Sequence, residues 1–182
     1  MAVDTEPFTG GFEADRNHSS ILFAVRHMQV STFRGSFADL EARLVGEDSG
    51  LRLEGSARVD SISITDPPEL RQHVVRGADF FDGDNHPEIR FRSDRVELAP
   101  DLSATVEGEL TMKGISRTVV ATGSYQPPLQ DPFGATRAAL ELRSVLDRRD
   151  WEFTWQMPLP DGRDALGLTV EVTVQLELVK EE

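Results

Sequence analysis

Apolar and polar side chains alternate along most of this chain. In "LTVEVTVQLELV" the residues Leu168, Val170, Val172, Val174, Leu176 and Leu178 fall on one side of an extended backbone. Thr169, Glu171, Thr173, Gln175 and Glu177 fall on the other, which is the pattern of a strand with one buried face. "LRLEGSARVDSISI" sets Leu51, Leu53, Gly55, Ala57 and Val59 against Arg52, Glu54, Ser56, Arg58 and Asp60 in the same way. Similar alternation in "PEIRFRSDRVEL" and "ATVEGELTMKG", and over 21–28, 33–45, 117–126 and 135–146, brings the total to roughly eight strands. Polar outer faces throughout suit an antiparallel meander.

One segment breaks the alternation. In "DPPELRQHVVRGADFF" Asp66 can cap a helix, Pro67 suits its first position, Glu69 completes a capping box, and Leu70 and Val74 lie one turn apart. Gly77 offers the stop. An all-β chain of about eight strands with one short inserted helix fits an antiparallel barrel, whose interior has room for one small ligand. A β-sandwich is the competing architecture.

Length and composition narrow the partners. The 182 residues are expected to form a single domain over 1–182, with 1–14 a flexible or peripheral segment. Thirty-two acidic against 19 basic residues give a net charge of −13, so the surface as a whole repels phosphate backbones and anionic membrane faces. Nucleic acid is therefore not an expected partner. The chain has no cysteine, which removes disulfides, thiolate nucleophiles and iron–sulfur clusters. The N-terminal "MAVDTEPFTGGFEADRNHSS" lacks the basic and apolar regions of a secretion signal, and no apolar run approaches the ~20 residues of a membrane span. A cytoplasmic location without stable membrane insertion is the expectation, and a homodimer stays open.

Motifs of catalysis are missing: no G-x-S-x-G, P-loop, G-x-G-x-x-G or H-E-x-x-H occurs. "DFFDGDNHPE" superficially suggests a calcium loop, but His86 stands where an acidic ligand is expected and Pro87 where the turn glycine is expected. The histidines His18, His27, His73 and His86 show no metal-ligand spacing. Neither a metal nor a cofactor is expected.

Aromatic surface is the more informative feature, with ten phenylalanines and two tryptophans against one tyrosine. Phe80 and Phe81 follow the helix, and Trp151, Phe153 and Trp155 alternate after "DRRD". Such side chains at a barrel mouth line a pocket as readily as they fill one. In "ILFAVRHMQVSTFRGSF" His27 shares a strand face with Ile21, Phe23 and Val25. A hydrogen-bonded core histidine, a contact to a ligand head group and a catalytic base are the readings open for it.

Taken in order, "NHSSILFAVRHMQVSTFRGSF", "ARVDSISI", "RGADFFDGDNHPEIRFRS", "VEGELTMKGISRTV" and "LDRRDW" resemble the YceI-like family of lipid-binding proteins, from about His18 to Leu178. The resemblance implies a lipocalin-like antiparallel barrel whose elongated apolar channel holds a long-chain amphiphile such as a polyisoprenoid or isoprenoid quinone. Many members carry arginine, aspartate and histidine ahead of the "DFFD" block; this chain keeps Arg71 but has Gln72 and Val74 at the other two positions, with His73 between them.

Non-enzymatic binding of such a lipid is the leading expectation. Phe23, Val25, Phe33, Phe91 and Leu110 would line the barrel, with Phe80, Phe81, Trp151, Phe153 and Trp155 at its wall or mouth. His27 and Arg148 would form the polar end, Arg148 corresponding to an arginine that the family places after its penultimate strand. The alternative for Arg148 is a salt bridge with Asp147 or Asp150. Two other functions compete: a cofactor-free cyclase or isomerase acting on a flexible apolar substrate, and a stress-related structural protein whose barrel is filled and has no cavity.

Overall fold

The computed structural model describes residues 8–182. Ten strands form one antiparallel sheet: β1 (Gly10–Ala14), β2 (Ser20–His27), β3 (Ser31–Phe37), β4 (Leu40–Glu47), β5 (Gly50–Arg58), β6 (Glu88–Leu98), β7 (Ser103–Met112), β8 (Ile115–Gln130), β9 (Thr136–Asp147) and β10 (Leu166–Lys180). Eight of them close a barrel in the order β1-β4-β5-β6-β7-β8-β9-β10, with β10 returning to β1. The antiparallel barrel expected from the alternation is the fold, and the sandwich is excluded by this closure.

Ten strands arise where about eight were expected because Gly10–Ala14 adds a strand ahead of the first one read and the segment 33–45 breaks in two. β10 pairs with β2 from Leu166 to Gln175 and with β1 from Leu178 to Lys180, so β1 and β2 follow one another along the same edge. Residues 15–19 loop out between them. The Asp15 N–H donates to the Glu177 carbonyl at 2.8 Å, and the Glu177 N–H donates to Ser19 Oγ at 3.1 Å, so the ladder's hydrogen bonds are replaced across the gap. Arg137 of β9 donates to Asp131, Glu177 and Asp15 at 2.7, 2.6 and 3.1 Å. The segment 33–45, read as one strand, likewise breaks at Ala38 and Asp39, where the Ala38 N–H turns to the Ser61 carbonyl at 3.1 Å and the Asp39 carbonyl accepts from Arg58 at 2.9 Å.

The N-terminal expectation is also corrected. Gly10–Ala14 is a barrel strand, not a peripheral segment, and Phe12 within it is 1% exposed; residues 1–7 lie outside the described residues. Phe12 was overlooked because "GGFEA" is too short to show alternation. It packs with Leu40, Leu44, Leu140, Leu176 and Leu178 into a dense cluster that plugs the upper end of the barrel. Each such side chain contributes about 1.5–3 kcal/mol by leaving water.

At the lower end β5 runs into a 3-10 turn (Val59–Ser61) and helix α1 (Pro68–Arg76). Asp66 does not cap this helix. Pro67 occupies the N-cap position in an extended conformation and Pro68 begins the helix, one residue later than expected, because a proline in the first turn lacks only an N–H that would have had no partner. Gly77 ends it as read, its N–H donating to the His73 carbonyl at 2.7 Å. Val74 and Val75 are buried against Phe37, Ala57, Val59 and Ile62, a second apolar cluster beneath the barrel.

Candidate ligand cavity

Between the two clusters the barrel is hollow. A cavity of about 400 Å³ is lined by the inward faces of β2, β6, β7, β8, β9 and β10 together with α1 and the segment 151–155, within the ~300–1,000 Å³ of ligand sites. Phe23, Phe91, Leu110, Val170, Val172 and Val174 all face it, and all are only half-buried although they sit on the inner side of the sheet. Inward apolar residues of a filled barrel bury one another; these look into open space. The cavity overturns the filled-barrel reading.

The cavity is long in one direction. Along β10 it runs from Leu166 to Leu176, roughly 33 Å of strand at ~3.3 Å per residue, or about 25 Å along the axis for a strand tilt of ~40°. Its upper end meets Val106, Leu142 and Leu176, which are 1%, 4% and 3% exposed. At the lower end Phe33 and Leu70 line it while being 37% and 44% exposed to solvent. That is the mouth.

Aromatic rings build the lower wall. Phe33 packs on Phe23, Phe23 on Phe37, Phe37 on Phe81 and Phe81 on Phe153, at centroid distances of 6.0, 5.6, 5.8 and 4.8 Å. Lys113 stands over the Phe153 ring at 5.3 Å and donates to the Ala78 and Glu152 carbonyls, tying the loop after α1 to the loop after β9. Phe80 stacks on Trp155 at 5.7 Å, and His73 meets the Phe80 ring edge-on at 5.2 Å. Trp151 is 1% exposed, and its indole N–H donates to the Leu110 carbonyl at 3.1 Å. Trp151 is a wall; Trp155 is nearer the solvent.

All twelve residues singled out from sequence border this cavity: Phe23, Val25, His27 and Phe33; Phe80, Phe81, Phe91 and Leu110; Arg148, Trp151, Phe153 and Trp155. Two of them differ from expectation in their partners. His27 is on the inner face as its register requires, but it lies at the strand end between Ser31 and Leu166, solvent-exposed, and its ring nitrogens have no hydrogen-bond partner among the described residues. Water reaches the ring at the mouth, so no buried-polar penalty enforces a partner.

Arg148 pairs with neither Asp147 nor Asp150. Asp147 is taken by Arg149 at 2.5 Å. Arg148 itself is 6% exposed and donates to three main-chain carbonyls: Gly167 at 2.9 Å, Phe153 at 2.7 Å and Trp155 at 2.9 Å. Burial pushes its pKa below the usual guanidinium value, opposed by the fields of Asp164 and Asp147. The cation is thus set into the cavity lining, held by dipoles instead of a counter-charge.

Several lining residues were not singled out, among them Phe37, Ile62, Ile64, Leu70 and His73. Phe37 continues the alternation of Phe33 and Gly35 and was available to it. The others come from the turn and helix beneath the barrel, whose packing no strand periodicity reports. A second cluster, Asp15, His18 and Glu177, brings its ligand-type atoms within 4.8 Å of one another. Arg137 already donates to both carboxylates and His18 Nδ1 lies 3.0 Å from Asp15, so this is an ion-pair cluster that bridges β1 and β2.

A closed antiparallel barrel, plugged at one end and hollow with an apolar lining at the other, defines a lipocalin-like barrel. The chain belongs to the YceI-like family, whose YceI-like domain matches residues 12–178. A UPF0312 protein of Pseudomonas putida is 24% identical over 172 residues, covering 93% of this chain and 85% of that protein. Among solved structures, Burkholderia cenocepacia BcnA superposes with a TM-score of 0.70 at 19% identity, covering 92% of this chain and 99% of its own. A polyisoprenoid binding domain from Saccharophagus degradans, implicated in plant cell wall breakdown, superposes with a TM-score of 0.66 at 13% identity over 95% of this chain and 99% of its own. These likenesses carry the fold. Among the described residues no helix is long and apolar enough to cross a membrane.

Proposed function

We propose that this chain binds a long-chain apolar amphiphile, a polyisoprenoid or isoprenoid quinone, inside the barrel and carries or sequesters it without chemical change. The observation that supports this most is the elongated cavity whose inward apolar residues are left half-buried. Removing ~25 cal/mol per Å² of ligand surface from water supplies affinity without charged contacts, and many weak dispersion contacts select chain length and shape over head-group chemistry. The polyisoprenoid-binding neighbour points to the same ligand class. In this reading the tail lies along Phe23, Val25, Phe91, Leu110 and the valines of β10, and the head group rests at the lower end beside Arg148 and His27.

Protein purified without detergent is expected to release a prenyl or acyl lipid into organic solvent, identified by mass spectrometry, and added polyprenol or long-chain quinone is expected to raise the melting temperature by linkage. Empty extracts together with no thermal shift from either compound would overturn the proposal. One observation favours a second reading: His73 borders the cavity and its Nε2 lies 3.0 Å from Asp79 Oδ1, the arrangement of a base held by a carboxylate. A cofactor-free isomerase would convert a bound prenyl substrate and lose that turnover in His73→Gln, whereas a carrier returns the ligand unaltered.

A further inference from the structure

Twelve of the 17 arginines of this acidic protein have a carboxylate within 4.0 Å, and the other five are gathered at one end. The arginines with no carboxylate within 4.0 Å among the described residues are Arg26, Arg34, Arg71, Arg117 and Arg148. All five lie in the lower half of the barrel, where the cavity opens. Arg148 is inside. Arg26 and Arg34 are on the outer face of the β2–β3 hairpin, one register step apart, and each donates only to a main-chain carbonyl of its own hairpin, Gln29 or Thr32. Glu171 faces Ala24, the residue opposite Arg34, but lies beyond ion-pair distance of both. Arg71 leaves the first turns of α1 to donate to the Asp60 carbonyl.

The same end carries exposed apolar side chains. Val30 at the hairpin tip is 80% exposed and Met157 is 52% exposed. They belong to one rim, since the Met28 N–H donates to Ala165 and the Ala165 N–H donates to Met157. Leu70 and Phe33 connect this rim to the cavity.

We propose that the mouth end docks on the surface of an anionic lipid bilayer. Free guanidinium groups beside protruding apolar residues match the two layers such a surface presents, phosphate above and acyl chain below. The acidic remainder of the molecule does not prevent it, because charges more than ~8 Å from the surface are screened at physiological salt. This end also carries acids, Asp66 and Glu69 at the start of α1, Asp79, Asp82 and Asp84 after it, Asp150 and Glu152 after β9, and Asp161 and Asp164 before β10, but the β2–β3 hairpin over 20–37 contains none, and it is this hairpin that meets the lipid. This departs from the expectation that net charge alone sets, and it goes beyond cavity binding: it says where a lipid ligand would be exchanged.

Flotation of the full chain with phosphatidylcholine vesicles, with and without ~30 mol % phosphatidylglycerol, tests it. Association is expected with the anionic vesicles only, and is expected to disappear as salt rises from ~0.05 M to ~0.5 M. Arg26→Glu combined with Arg34→Glu should lower the bound fraction about tenfold, while Arg95→Glu, at a residue already paired with Glu97, leaves it unchanged. Both replaced arginines are exposed, and an unaltered thermal shift with polyprenol shows that the barrel and its cavity survive. No flotation, flotation indifferent to anionic lipid, or full binding by the double variant would each overturn the docking proposal while leaving cavity binding as it stands.

Discussion

The far end of the Phe23 ring occupies the space that a side chain on Gly35, its direct partner across β2 and β3, would take. A methyl group at Gly35 would stand 2.4 Å from the ring's Cζ, well inside contact distance. Glycine is what lets the ring fold onto the wall and leave the lumen open. At Gly108 a Cβ would meet first the main chain of Arg92 and Ser93, at 2.3 and 2.6 Å, and then Phe91 Cζ at 2.8 Å.

Replacing Gly35 with alanine is therefore expected to push the Phe23 ring into the cavity. Overpacking of this kind costs about 1–3 kcal/mol of stability, and affinity for a long-chain ligand should fall by about tenfold or more, since lost length cannot be regained by rearrangement. Phe23→Leu in the same chain should restore much of the binding. Calorimetric titration with a solubilised polyprenol measures both; unchanged affinity in Gly35→Ala would show that the ring has another resting place.

Arg148→Met should destabilise the fold by about 3 kcal/mol or more, because three carbonyls lose their donor at ~1 kcal/mol or more each. Lysine is expected to recover only part of this, since one ammonium lacks the planar fork that reaches Gly167, Phe153 and Trp155 together. Urea unfolding of the two variants makes the comparison.

The acid limb of stability is expected between about pH 4 and pH 2. Hydrogen bonds from His18, the Asn17 N–H and Arg137 lower the Asp15 pKa from 3.8 to about 2; Arg149 does the same for Asp147, to about 2. Both carboxylates bind protons more weakly folded than unfolded, so their stabilisation is fully present above the unfolded value and is lost as pH falls through the folded one. Asp15→Asn should lower stability above pH 4 and make the acid limb shallower. A steeper limb in that variant would contradict the assignment.

Tryptophan emission should report ligand mainly through Trp155. Trp151 is sealed and hydrogen-bonded, whereas Trp155 is half-buried and stacked on Phe80 near the mouth. Trp155→Phe is expected to abolish most of the ligand-induced change and Trp151→Phe to preserve it; the reverse result would place the ligand deeper.

The barrel was readable because its strands are amphipathic: Leu168 to Leu178 and Leu51 to Val59 announce their inner faces at a spacing of two. For the same reason Phe23, Val25, Phe91 and Leu110 could be placed on the cavity side. What alternation does not encode is the third dimension. That Arg148 would meet Gly167, Phe153 and Trp155 depends on how β9, the following loop and the start of β10 converge, and main-chain carbonyls have no sequence signature. His27 was read as an inner residue correctly, but strand position alone does not say that its strand ends at the mouth. Leu70 looked like the buried stripe of a helix, and the helix instead turns it toward an opening.

Among the described residues the outer edge of β3 has no strand beside it. Phe37 bridges Ile62, Ser36 exchanges hydrogen bonds with Ser63, and from Ser31 to Gly35 the sheet simply stops. Below that point the wall between β3 and α1 is a curtain of side chains, Phe33, Ile64 and Leu70 among them, where elsewhere it is a woven ladder. Admitting a molecule from this side takes rotamer changes and breaks no ladder hydrogen bond. A flexible chain need not be threaded end-first through a bore: it can be laid in lengthwise, as a cord is pressed into a seam.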